Sequence, residues 1–424
     1  MKTLRHPLIA TFVALACSCS MALRAAEFVP GATIESLLVY AQEHNPELAA
    51  MRYEAQAADE RVVPAGALSD PRFRATLSDI TRMGEQNPSV LPGRVGKTAY
   101  LWMQEVPWFG KRDLKRDVAQ QEALGAQGRT RGTWSELSSR IKTTHAQLYF
   151  LQRSEQLVAE NLTLMEQLEK IALSRYAGGL SAQQDAIRAQ VEQGGLSSEQ
   201  IALGMEHHHL HARMNSLLAR PANAPLADAA VLRSLPKPDK LDWNRLSERA
   251  QANNPQLFTE DARILSAQKN RELVSKNRYP DFTFGVAPMQ TGTRVKEWEL
   301  MFEINIPLQQ GSRAAQEREA EAMLAAARER RQAAANQVFT ELTQSLSALE
   351  AAQRTDELTQ TRLLPQAELT FQSALAAYET GKVDFATLLD AQRQIRLVRL
   401  NQLKVQLDAQ MQLNEIERIL GEDV

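Results

Sequence analysis

The chain has 424 residues, enough for two or three ordinary domains, yet only 6% are aromatic, and Ala, Gln, Glu, Leu and Arg recur throughout. That composition favours long helices. Its 49 basic and 51 acidic residues nearly cancel, so no global field argues for nucleic acid and no like-charge block forms a tail.

Residues 1–26 have a basic beginning, an apolar stretch from Leu8 to Ala16 and small residues towards Ala22 and Ala26. They are expected to be a secretory signal peptide, set aside from the fold. Cys17 and Cys19 are the two cysteines of the chain and both lie inside it, so the processed chain is expected to carry no thiol. "ALAC", ending at Cys17, has Ala14 where a lipoprotein cleavage box usually has Leu, and acylation of Cys17 stays open against removal of the whole leader. Beyond it no apolar run reaches about 18 residues, which excludes a spanning helix. Any insertion into a bilayer must use strands.

An opening helix is expected over 33–63, stopping at Pro64, where a backbone donor is lost. Strands are expected over about 70–80 and 97–108, joined by the Gly- and Pro-marked loop 81–96. From Lys111 to Tyr176 the pattern is helical, with Trp134, Leu137, Ile141, Leu148 and Leu151 at three-, four- and seven-residue steps. Such a helix is on the order of 100 Å long at about 1.5 Å per residue, more than a compact domain needs. Gly125, Gly128 and Gly132 fall inside it, each costing roughly 1 kcal/mol relative to Ala. Either the helix bends there or another backbone approaches closely. A glycine turn and a further helix close the unit.

The same plan then recurs. "AQEHNPEL" (41–48) matches "AQANNPQL" (250–257), and the same shift brings Phe73 onto Phe282. "QEVPWFGKR" (104–112) answers "INIPLQQGSR" (304–313) through Pro107 and Pro307, and "RYAGGLSAQQDAIRAQ" (175–190) answers "AYETGKVDFATLLDAQ" (377–392). Four blocks in one order point to an internal duplication. The expected division is a first repeat over 27–220, a Pro-rich linker over 221–240 and a second repeat over 241–424.

In "KEWELMFEINIPLQQGSR" (296–313), Trp298, Leu300, Phe302, Ile304 and Ile306 alternate with Glu297, Glu299, Glu303 and Asn305. This is a strand with one apolar and one wet face. About 10 residues suffice to cross a bilayer at a tilt, and a lipid-exposed sheet must close on itself. Four strands per chain are too few, since barrels start at about eight, so two, three or four copies are required. Tyr100, Trp102, Trp108, Trp298 and Phe302 suit the membrane interface, and the Glu-rich face suits a water-filled lumen. Alternation looks the same against any apolar phase, so a soluble periplasmic protein remains the competing reading.

Over essentially the whole processed chain, the sequence resembles the TolC family of outer-membrane efflux channels. The resemblance rests on the duplicated plan, on "NPEL" and "NNPQL" in the opening helices, on Pro before each long helix, and on Tyr-x-x-Gly with Asp-Ala-Gln beyond it. "QEVPWFGKR" is similar to the subgroup serving heavy-metal pumps of the resistance-nodulation-division type. The resemblance implies a mainly α fold with a β-barrel. It also implies a homotrimer whose outer-membrane barrel, four strands per chain, continues into a periplasmic barrel of long helices. Implied partners are outer-membrane lipid, a periplasmic adaptor (membrane fusion protein) and an inner-membrane pump.

By the same resemblance, Tyr378 and Asp185 belong to the links that hold the periplasmic entrance closed, and Asp390 to an acidic ring at the aperture. Gly178, Gly179 and Gly381 form the turns at that entrance, where the adaptor docks. The chain departs from the family in Thr387, where a second aperture carboxylate would stand, and in Val383, where a gating arginine would. A single carboxylate ring is thus expected, together with a weaker gate linkage.

"MEHHHLHARMN" (205–215) puts His207 and His211, and His208 and His211, on shared helix faces that could chelate Zn or Cu. No carboxylate or thiolate completes a tetrahedral set at evident spacing, so a polar helix surface is expected, with no metal and no cofactor. No nucleophile elbow, phosphate-binding loop or HExxH occurs, so the protein is expected not to be an enzyme and to draw on a partner for energy. The expected function is passive export from the periplasm or an inner-membrane pump to the exterior, with heavy-metal cations as the candidate cargo. The alternatives are the same channel serving drug efflux or protein secretion, and a pore-less periplasmic coiled-coil adaptor.

Overall fold

The computed structural model describes residues 31, 33–229 and 231–424; the leader and its two cysteines lie outside them. The expected opening helix is in fact three pieces, α1 (Ile34–His44), α2 (Pro46–Glu60) and α3 (Val62–Gly66). The breaks fall at Asn45-Pro46 and at Arg61, not at Pro64. Pro46 has no N–H to give to a preceding turn, and the Asn45 side chain accepts a hydrogen bond from Leu48 N at 3.1 Å, so one helix stops and the next is capped. Pro64 sits near the start of α3, where its missing donor breaks nothing. The second half repeats the device: α6 (Trp243–Asn253) gives way to α7 (Pro255–Ser275), and Asn254 accepts from Leu257 N at 2.9 Å.

The strands are β1 (Arg72–Ser78), β2 (Lys97–Val106), β3 (Phe282–Thr291) and β4 (Arg294–Ile304), one antiparallel sheet in the order β1-β2-β3-β4. β1 is shorter than expected because Asp79 adopts φ 53° and its carboxylate accepts from Met83 N at 2.8 Å, which turns the chain. β2 ends before Pro107, which cannot donate to a ladder. Below the sheet, buried Lys111 pairs with Asp281 at 2.9 Å, and the same carboxylate accepts from Trp108 N at 2.7 Å. Trp108 stacks on Tyr279 with centroids 4.9 Å apart. The charged and aromatic residues of "QEVPWFGKR" thus tie the two hairpins together at their base.

α4 (Lys111–Ala177) runs unbroken for 67 residues, followed by α5 (Gln183–Leu217). Of its three clustered glycines, Gly128 answers to the second expectation, a close approach. A Cβ on Gly128 would lie 2.4 Å from Thr259 Oγ1 and 2.9 Å from Phe258 Cδ1, both on α7. In the second half, α8 (Gln310–Leu358) passes through a π-helical turn (Thr359–Leu363) into α9 (Leu364–Glu379), and α10 (Phe385–Leu420) ends the helical part. The wide turn lies immediately before Pro365, whose ring would clash with a regular preceding turn. The order of elements after the linker is therefore that of the first half: helices, hairpin, long helix, glycine turn, helix.

The chain divides into two compact units, one built from residues up to 43 with 144–233 and 367–403, the other from 44–143, 234–366 and 404–424. The first is held by an apolar cluster that includes Met165, Leu168, Leu196, Tyr378, Phe385 and Leu388. The fully buried Gln392 amide donates to Asn161 within it. The second contains the sheet and a cluster that includes Leu246, Leu257, Leu342, Leu349 and Ile416. Lys142 and Glu417, both nearly inaccessible, pair there at 2.8 Å.

Candidate functional site

Within the first unit the ends of α4 and α9 close with the same motif. Gly179 and Gly381 take φ +70° and +75°, the left-handed conformation in which a side chain is strained. Leu180 N donates to Arg175 O at 2.8 Å and Gly179 N to Tyr176 O at 2.9 Å; Lys382 N donates to Ala377 O at 2.8 Å and Gly381 N to Tyr378 O at 3.0 Å. Both are Schellman caps, which satisfy carbonyls that the last helical turn leaves unpaired. The Tyr-x-x-Gly spacing places each tyrosine at the same cap position. Gly178, Gly179 and Gly381 are exposed.

The two tyrosines differ in fate. Tyr176 is 46% exposed, whereas Tyr378 is 2% exposed and packs on Phe385 at 5.3 Å between centroids. The Tyr378 hydroxyl donates to Asp185 Oδ2 at 3.4 Å, so the structure brings these two expected residues together. Burial pushes the Tyr378 phenol above its ordinary range, and the Asp185 carboxylate adds to the shift. The phenol therefore keeps its proton and serves as a donor. Asp185 lies in the first turn of α5, where the helix dipole favours a carboxylate.

Arg175 is the residue that sequence reasoning missed. Its guanidinium lies 4.9 Å above the Tyr378 ring, and Nη1 donates to Glu379 O at 2.6 Å. Nη2 donates weakly to Leu180 O at 3.4 Å, so one cation holds carbonyls of both turns. A cation in the last turn of a helix that ends in Tyr-x-x-Gly was the available signal.

Asp390 and Thr387 take no part in this cluster. Thr387 N and Oγ1 both donate to Asp384 Oδ1, at 3.0 and 2.7 Å, so Asp384 caps α10 and Thr387 completes the cap. The capped carboxyl is held below its usual range, first by the Thr387 hydroxyl. Asp390 points to solvent, its side chain 77% exposed with Arg393 Nη1 at 3.8 Å. Val383 packs against the apolar cluster.

The sheet carries the other candidate surface. One face bears Phe73, Trp102, Phe284, Val286, Trp298, Leu300, Phe302 and Ile304, joined across strands as Phe73↔Trp102, Trp102↔Val286, Val286↔Leu300 and Phe284↔Phe302. All are exposed; Leu300 and Trp298 reach 84% and 71%. The opposite face is mixed: Lys97 and Glu297 pair there at 2.7 Å and Glu105, Thr283 and Glu303 are in register, beside Leu101, Met103 and Met301. Among the described residues, β1 and β4 each have a free edge.

A four-stranded open sheet joined to helices of this length is the fold of solved outer-membrane channels. The chain superimposes on CusC, described in terms of transmembrane channel formation, with TM-score 0.79, 17% identity and 93% of each chain covered. It also superimposes on the outer membrane protein VceC of Vibrio cholerae, with TM-score 0.77, 16% identity, and 92% of this chain and 96% of that one covered. Residues 246–422 match the family described as outer membrane efflux protein, in line with the resemblance to outer-membrane efflux channels. A relative in sequence is the cobalt-zinc-cadmium resistance protein CzcC of Cupriavidus metallidurans, 22% identical over 397 residues, 92% of this chain and 90% of CzcC.

Proposed function

We propose that the protein is the passive outer-membrane channel of a tripartite efflux system, a homotrimer that exports heavy-metal cations. The observation that carries this reading is the open-edged sheet whose one face is apolar and wholly exposed. Such a face needs lipid, and such edges need further strands, because unpaired backbone groups in hydrocarbon cost several kcal/mol each. Three copies supply twelve strands, an even number within the range of closed barrels. The barrel lies in the outer membrane and the helices extend into the periplasm.

In this reading the Schellman turns form the periplasmic entrance and meet the adaptor, and the Asp185 to Tyr378 bond helps hold the entrance shut. Three Asp390 carboxylates surround the axis as the cation-attracting constriction, with Thr387 one turn nearer the tip. The chain is a conduit, not an enzyme, and an inner-membrane pump of the resistance-nodulation-division type supplies the energy. The metal cargo is supported by the similarity to CzcC, named for cobalt, zinc and cadmium resistance.

The test is fractionation of the natively expressed protein followed by reconstitution in planar bilayers. Outer-membrane recovery, a trimer that resists detergent and discrete cation-selective openings are expected. A soluble periplasmic monomer would overturn the channel. Unchanged tolerance of cobalt, zinc and cadmium after gene deletion would overturn the cargo alone.

A further inference from the structure

His207 and His211 are one helical turn apart on α5, with ring centroids at 4.7 Å and planes at 78°. Facing them across the first unit is α4, whose Glu155 places Oε1 3.6 Å from His207 Nδ1. Two donors, each about 2 Å from a tetrahedral zinc ion, stand about 3.3 Å apart, close to that separation. Both side chains are partly withdrawn from water, 34% exposed for His207 and 28% for Glu155. The remaining histidines of the run differ: His208 is exposed, and His209 turns to Glu206 on its own helix at 3.7 Å.

From this arrangement we infer a metal site, in which His207 and His211 bind a zinc-class divalent transition ion and Glu155 swings in as third ligand, clamping α5 to α4. Among the described residues no three donor side chains already converge on one point, so the two rings and the carboxylate turn onto the ion together. Two imidazoles and a carboxylate suit zinc, copper(II) and nickel, and leave a fourth position for water. The site lies on helix flanks some 30 residues beyond the glycine turn in sequence and does not depend on what the protein conveys.

The experiment is calorimetric titration of the full chain, purified in detergent and stripped with chelator, using zinc sulfate alone as probe. One saturable site per chain is expected. His207→Ala and His211→Ala should each weaken it at least tenfold and Glu155→Gln severalfold, while the paired changes His208→Ala and His209→Ala leave it within twofold. Zinc should raise the melting temperature of the parent and of the His208/His209 variant but not of His211→Ala, and metal-free melts show that each variant is folded. Absence of saturable binding, or parental affinity in a His207→Ala/His211→Ala double variant, overturns the site. An unchanged affinity in Glu155→Gln overturns the clamp between helices.

Discussion

At the scale of single residues, the two carboxylates at the turns have opposite surroundings. Asp185 is engaged by a buried phenol, whereas Asp390 is exposed beside a single arginine. Tyr378→Phe deletes one hydrogen bond and keeps the ring against Phe385, so single-channel recording should show higher conductance with little loss of stability, about 0.5–1.5 kcal/mol. Asp390→Asn should leave assembly intact and reduce both cation selectivity and block by multivalent cations; selectivity and block equal to the parent's would show Asp390 to be a solvated surface residue.

His145 gives a pH dependence of known sign. It is 4% exposed, and burial holds its imidazole below the usual range, with Glu35 opposing. The folded protein therefore binds fewer protons here than the unfolded chain. Its contribution to stability is complete above the unfolded value of about 6.5 and declines as pH falls below it. Comparing melting temperatures of the parent and His145→Gln between about pH 7.5 and pH 5 should show the steeper acid decline in the parent.

Among the elements, the Asn-Pro pairs show what was legible and what was not. The sequence made them visible as a repeated motif, but their mechanical meaning, a helix stop and a fresh cap, emerged only with the geometry. Periodicity located α4 almost to the residue because 67 residues of one pattern leave little room for error. It could not decide why Gly128 is there, since the answer lies on α7, over 120 residues away. The turns were readable from Tyr-x-x-Gly, and Asp185 with Tyr378 from resemblance; the bridging by Arg175 was not, because spacing says nothing of which carbonyls a long side chain reaches.

Two substitutions test these elements. Asn254→Ala should cost about 1 kcal/mol by removing the α7 cap. Gly128→Leu should cost about 1–3 kcal/mol or more through overpacking against Thr259 and Phe258, against roughly 1 kcal/mol returned by better helix propensity. Loss of the heat-resistant oligomer at lower temperature reads out both, and a more stable Gly128→Leu protein would contradict the close approach.

For the whole molecule, the sheet decides which environment the chain can occupy. Phe302→Arg should cost about 2–4 kcal/mol if that position lies near the bilayer midplane, whereas Glu303→Gln on the opposite face should be tolerated. Equal tolerance at both positions, measured as recovery of assembled protein in the outer membrane, would mean that β4 does not border lipid.

The free edges of β1 and β4 also bear on how the protein is made. A lone chain exposes two unpaired strand margins and a continuous apolar face, the combination that drives indiscriminate edge-to-edge pairing. For a trimer this makes the encounter of subunits the vulnerable interval of biogenesis. The yield of correctly inserted protein should then peak at intermediate synthesis rates: slow production starves a third-order encounter, and rapid production lets single chains find the wrong neighbours before closure removes the margins.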